Sequence, residues 1–126
     1  MISLFYTGWL LLLVLWLSIQ VIRLRRLHQI AIGDGGYQDL QLAIRAHANA
    51  LEYLPLALLL IFMLEQQQLS PWFIHAMGLT LLVGRIVHAT AIPRRNLRLR
   101  VMGMAMTFLV LLAGAILAIT LALSRL

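Results

Sequence analysis

Long uncharged stretches alternate with short polar, arginine-bearing ones along this chain. Residues 1–22 and 101–124 contain no charged side chain at all. Residues 40–64 and 71–92 are nearly as apolar, but the first is interrupted by Arg45, His47, Asn49 and Glu52 and the second by His75, Arg85 and His88. A helix needs about 20 mostly apolar residues to cross a hydrocarbon core about 30 Å thick, at about 1.5 Å of rise per residue. Each stretch meets that length. The pattern predicts an all-α integral membrane protein, a four-transmembrane-helix bundle with helices at about 2–27, 38–65, 71–92 and 97–124 in a single domain over residues 1–126.

The punctuation agrees with this division. Gly33-Asp34-Gly35-Gly36 is a strong turn signal between the first two helices, and Asp34 is read as a turn former. Ser70-Pro71 sets an N-cap residue before a proline at the first helical position, Pro93 ends the third helix, and Asn96 is placed to cap the fourth. Pro55 falls inside the second helix, where a kink is expected and neighbouring helices can satisfy the freed carbonyl. The amino-terminal run lacks a basic leader and a small-residue cleavage site and exceeds the usual signal-peptide core of about 7–15 residues, so it is read as a retained membrane helix.

Composition sharpens the picture. Apolar residues make up 63% of the 126 and charged ones 11%, against about 25% charged in soluble domains. Without cysteine the chain has no disulfide and no thiolate of its own, for metal or for catalysis. The ten basic residues are all arginine, giving a net charge of +6. Because they border apolar runs, anionic headgroups or an anionic ligand are better partners for them than nucleic acid. Arg23, Arg25, Arg26 and Arg45 flank the first connection and Arg94, Arg95, Arg98 and Arg100 the third, whereas the second has none. The positive-inside rule therefore turns the first and third connections to the cytoplasm, with Arg125 a lone exception. Trp9, Trp16 and Trp72 read as lipid-facing or interfacial belt residues, and Gly103, Thr107 and Gly114 as a small-residue stripe for close helix packing.

The informative anomaly lies in the second helix. Arg45, Asn49 and Glu52 follow one another at i, i+4 and i+7, so a cation, an amide and an anion share one face. A charged group in a membrane helix costs about 2.5–3.5 kcal/mol on insertion scales and normally faces the protein interior at a functional place. Seven residues span about 10 Å along the axis, too far for a direct Arg45–Glu52 bond unless the arginine is fully extended. A polar ligand or an internal network between them is the more economical reading. Arg85 and His88 near the end of the third helix, and Arg98 and Arg100 at the start of the fourth, approach the same level, as Arg23 does from the first. Such a set suits a small anion with more than one carboxylate or phosphate. His47 points away from this face and reads as an interhelical hydrogen-bonding residue. No metal site is expected, since His28, His75 and His88 show no ligand spacing and no carboxylate near them in sequence.

Two segments resemble a known family. Arg45-Ala-His-Ala-Asn-Ala-Leu-Glu-Tyr-Leu-Pro55 is similar to the helix-two signature of the membrane-associated eicosanoid and glutathione metabolism (MAPEG) family. Gly84-Arg-Ile-Val-His88 resembles the third-helix segment of its prostaglandin E synthase branch, and Arg23-Leu-Arg25 matches the end of helix one. The likeness runs from about Val21 to Met104, and the Gly-Asp-Gly-Gly loop suggests a bacterial, inner-membrane member. The resemblance implies a homotrimer with glutathione between neighbouring subunits near the cytoplasmic surface. It implies that Arg23, Arg45, Asn49, Glu52, Tyr53 and His88 contact the tripeptide, and that Arg100, or in second place Arg98, activates its sulfur toward a lipophilic substrate. The chain departs from the synthase branch at Ala48, where that branch has arginine, at Ile92, where it has tyrosine, and at Val101, where it has serine. Eicosanoid synthesis is therefore not implied.

The leading expectation is a glutathione transferase or peroxidase acting on lipophilic electrophiles. A non-catalytic lipid- or glutathione-binding scaffold of the same fold is the alternative. A small multidrug transporter would place an acid in helix one, whereas the first acid here is Asp34. A haem-binding bundle would need two histidines at matching depth, and His47 and His88 lie toward one boundary while His75 lies toward the other.

Overall fold

The computed structural model describes residues 1–125, arranged as helices α1 (Ile2–His28), α2 (Gln38–Glu65), α3 (Pro71–Ala91) and α4 (Leu97–Leu123). All four are long and apolar enough to cross a membrane, and the short connections make successive helices antiparallel. The expected limits agree with these to within a residue. The chain is a multi-pass membrane protein with an all-α bundle fold.

Local chemistry explains the ends. Asn96 accepts a hydrogen bond from the Leu99 amide at 3.1 Å, so it caps α4 as expected. Ser70 is the N-cap of α3 but makes no side-chain cap bond; its carbonyl accepts from Phe73 N instead, while Pro71 presets the first turn. The Asp34 carboxylate accepts from Gly36 N at 2.9 Å and its carbonyl from Tyr37 N, which makes it the turn former anticipated. Gly33, Gly35 and Gly36 all have positive φ there, a conformation that costs glycine less than any residue with a side chain. α2 runs unbroken through Pro55.

α3 is the organising helix. It lies against α1, α2 and most extensively α4, whereas α1 and α4 do not meet. The core of Leu10, Leu54, Ile61, Ile74, Leu81 and Val110 runs through the bundle axis. Gly84 and Gly103 let α3 and α4 approach until their backbones touch: a Cβ on Gly103 would lie 2.6 Å from the Gly84 carbonyl oxygen and 2.7 Å from His88 N. Gly103 and Gly114 of the small-residue stripe thus face other helices of the same chain. Gly78 likewise receives the ring of Tyr6, whose hydroxyl lies 3.1 Å from His75 Nδ1.

At the arginine-poor end, Glu65 at the close of α2 reaches the start of α1 and accepts from Ile2 N, Ser3 N and the Ser3 hydroxyl. A carboxylate there satisfies orphan amides and complements the positive end of the helix. The outer faces carry large, exposed apolar side chains, among them Trp9, Trp16 and Trp72. In water such a surface would be an aggregation liability; in lipid it is the solvation layer.

Candidate functional site

The close α3–α4 contact brings two polar side chains of α3 into the protein interior. Arg85 is 1% exposed and His88 2%. A buried guanidinium demands acceptors, and Arg85 Nη2 donates to Asn49 Oδ1 of α2 at 2.8 Å while Nη1 points at Met104 Sδ of α4 at 3.7 Å. Arg85 can only donate, so the amide oxygen of Asn49 must face it and the amide N–H groups are turned elsewhere. Arg85 Nε and His88 Nδ1 have no partner among the described residues.

The free side of Asn49 opens on a groove of about 310 Å³. Asn49 and His88 form its inner wall and Arg100 its rim, while Val101, Met104 and Phe108 supply an apolar flank. Tyr53 packs edge-on against Phe108, with ring centroids 5.5 Å apart, and so backs the groove without lining it. Three helices contribute a polar group each: a carboxamide from α2, an imidazole from α3 and a guanidinium from α4. Hydrogen-bond donors on a low-dielectric wall favour an anionic, polar guest with an apolar portion.

Not every residue singled out in the sequence reaches this groove. Arg45 and Glu52 are exposed on the outside of the bundle, on the same α2 face as Asn49, and neither forms an ion pair among the described residues. The expected ridge is therefore split: Asn49 is held inward by Arg85 while its two charged neighbours look out. Of the two helix-four arginines, both exposed, Arg100 lines the groove and Arg98 does not. Arg23 is exposed on α1, which does not touch α4, so it lies apart from Arg100 of its own chain. Among the departures noted above, Val101 lines the groove and Ile92 is buried in the core.

Sequence reasoning missed Met104 and Phe108 as groove residues. Both are apolar side chains in an apolar helix, and only the fourth-helix register relative to Arg100 separates them from lipid-facing neighbours. It also missed that His28, which has no carboxylate near it in sequence, meets Asp39 across the first connection at 2.9 Å and stacks on Tyr37. His47, by contrast, makes the interhelical bond anticipated, 2.8 Å to the Ser18 hydroxyl.

Comparison with known proteins agrees with this architecture. The chain is 40% identical over 112 residues to the inner membrane protein YecN of Escherichia coli strain K12, an alignment covering 89% of this chain and 86% of that protein. The YecN of Escherichia coli strain CFT073 matches to the same extent. The model of the MAPEG family matches residues 3–120, nearly the whole length and including every residue of the groove. With four membrane-length helices, the helix-two signature and this match in hand, the chain belongs to the MAPEG family.

Proposed function

We propose that this chain is a glutathione-binding protein of the bacterial inner membrane, and that it uses the bound thiol as a transferase or peroxidase on lipophilic electrophiles. The observation that carries this reading is the groove in which Asn49, His88 and Arg100 converge, with the buried Arg85 fixing the Asn49 amide so that its donors are free. Glutathione matches it chemically. Its carboxylates take the donors of Asn49 and the arginines, and its ammonium suits Glu52, three residues beyond Asn49 on the same face.

The outward Arg45 and Glu52 support a second copy at that face. Left against hydrocarbon each would cost about 2.5–3.5 kcal/mol, whereas in a homotrimer the neighbouring subunit and the tripeptide would cover them. An α1 from that neighbour would also bring an Arg23 to the groove that a chain cannot bring to its own.

In this scheme Arg100 stabilises the thiolate at the rim. In the transferase reaction the sulfur attacks an electrophilic carbon arriving along Val101 and Phe108; a carbon–sulfur bond forms and the leaving group departs with its electron pair. In the peroxidase reaction the thiolate breaks the oxygen–oxygen bond of a lipid hydroperoxide, releasing the alcohol, and a second glutathione takes the oxidised sulfur to the disulfide with loss of water. A non-catalytic scaffold is the second reading, favoured by Val101, an apolar side chain on the groove wall where the catalytic synthase branch has a hydroxyl. Thiolate absorbance in the ultraviolet, followed as glutathione is titrated into the purified protein, separates the two. The catalytic reading predicts a signal that is lost in Arg100→Ala; no signal, or an unchanged one in that variant, leaves only the scaffold.

A further inference from the structure

A larger cavity lies on the other side of the bundle and takes no part in the groove described above. It holds about 370 Å³ between α1, α2 and α3 toward the arginine-rich end, within the range of about 300–1,000 Å³ typical of small-molecule sites. The space exists because Ala43, Ala46 and Ala89 face it where larger side chains would close the gap between helices. Leu17, Leu24 and Leu42 complete a mostly apolar sleeve, in which Gln20 is the one polar side chain of the α1 wall. Trp16 stands at its edge and is 42% exposed among lipid-facing neighbours, so the cavity communicates with the bilayer.

The mouth carries both signs of charge. Arg95, in the α3–α4 connection, reaches across to α2 and donates through Nη2 to Gln38 Oε1 at 2.6 Å. Its remaining guanidinium donors have no partner among the described residues, and Asp39, the next residue after Gln38, lines the same mouth with its side chain 51% exposed. The Asp39 carboxylate accepts from His28 and from Leu40 N but offers about four lone-pair positions, which leaves room for a further donor. A carboxylate that accepts from a cation and a guanidinium that donates to an anion, at one mouth above a mostly apolar sleeve, are complementary to a zwitterion on a hydrocarbon chain.

We propose that this cavity binds one aminophospholipid, with an acyl chain along the alanine-lined sleeve, the phosphate on Arg95 and the primary ammonium on Asp39. An ethanolamine head suits the mouth better than choline, whose methylated nitrogen has no N–H to give the carboxylate, and better than glycerol, which has no cation. The site is independent of the glutathione reading.

Native mass spectrometry of the full chain, purified in mild detergent and equilibrated with equal amounts of phosphatidylethanolamine, phosphatidylcholine and phosphatidylglycerol of identical chains, tests this. The expected result is one retained phosphatidylethanolamine per chain, favoured roughly fivefold over phosphatidylglycerol, the factor that about 1 kcal/mol for the added cation near a membrane surface provides, and by a similar factor over phosphatidylcholine, whose equal charge lacks the N–H for a hydrogen bond worth about 1 kcal/mol. Asp39→Asn should erase the preference and Arg95→Gln should lower retention of all three lipids by a similar factor. Ala43→Leu should fill the sleeve and abolish retention. Because Asp39 and Arg95 are exposed, their variants test the site even where Ala43→Leu perturbs folding. No retained lipid, equal retention of the three by the unaltered chain, or a preference unchanged in Asp39→Asn would overturn the proposal.

Discussion

Replacing Gly103 with alanine should force α3 and α4 apart, and the structure sets the size of the effect. The new Cβ would meet the Gly84 carbonyl oxygen at 2.6 Å, His88 N at 2.7 Å and His88 Cβ at 2.8 Å. Two of those atoms belong to the helix backbone and cannot swing away as a side-chain tip would. Restoring ordinary contact at about 3.5 Å therefore requires the helices to separate by roughly 1 Å. Overpacking of this kind costs about 1–3 kcal/mol, partly offset by up to about 1 kcal/mol that alanine gains over glycine within a helix. Gly8 is the internal control, since a Cβ there meets nothing within 4 Å. Gly8→Ala should be neutral or stabilising by up to about 1 kcal/mol, so the two variants should differ by about 2 kcal/mol with opposite tendencies. Unfolding by titration of a denaturing into a mild detergent, followed by circular dichroism, measures the difference. Because the same displacement carries His88 away from Arg100, binding of a groove ligand should weaken in Gly103→Ala alone. Equal stability of the two variants would refute the close α3–α4 approach on which the geometry of the groove depends.

Asn49→Ala strips the neutral acceptor from the buried Arg85 guanidinium, so it should destabilise by about 1–3 kcal/mol, and Arg85→Met in the same chain should recover most of that loss in the same unfolding assay. Glu65→Gln removes a carboxylate that serves two α1 amides and the Ser3 hydroxyl; amide hydrogen exchange at Ile2 and Ser3 should accelerate while α3 stays protected. His47→Ala deletes the bond to Ser18 and should cost only about 0.6 kcal/mol, the average for polar contacts between membrane helices.

The helices themselves were legible because hydrocarbon thickness and charge avoidance leave little freedom, and Asn96 and the glycine turn mark ends by local chemistry that needs no tertiary knowledge. Register within α2 was legible too, since Arg45, Asn49 and Glu52 must share a face at 3.6 residues per turn. What that face meets was not. In a soluble helix an apolar stripe marks the core side, but α1 and α4 are apolar all round, so the pattern cannot tell a neighbour from lipid. For this reason the inward turn of Asn49 toward Arg85, the outward turn of Arg45 and Glu52, and the groove positions of Met104 and Phe108 are fixed only by tertiary packing. The pairing of His28 with Asp39 and the reach of Glu65 to Ser3 escaped for a second reason: each joins residues that are neighbours only once the connections have folded back.

In the proposed scheme a charged guest completes the polar cluster around Asn49. Isothermal titration of reduced glutathione into the protein in detergent micelles tests it most directly, with Glu52→Gln and Arg100→Ala run alongside. A saturable, stoichiometric heat that weakens about tenfold or more in each variant, the worth of one charge-assisted hydrogen bond, is the predicted result. No heat with the unaltered chain, or equal affinity in all three proteins, would contradict the account.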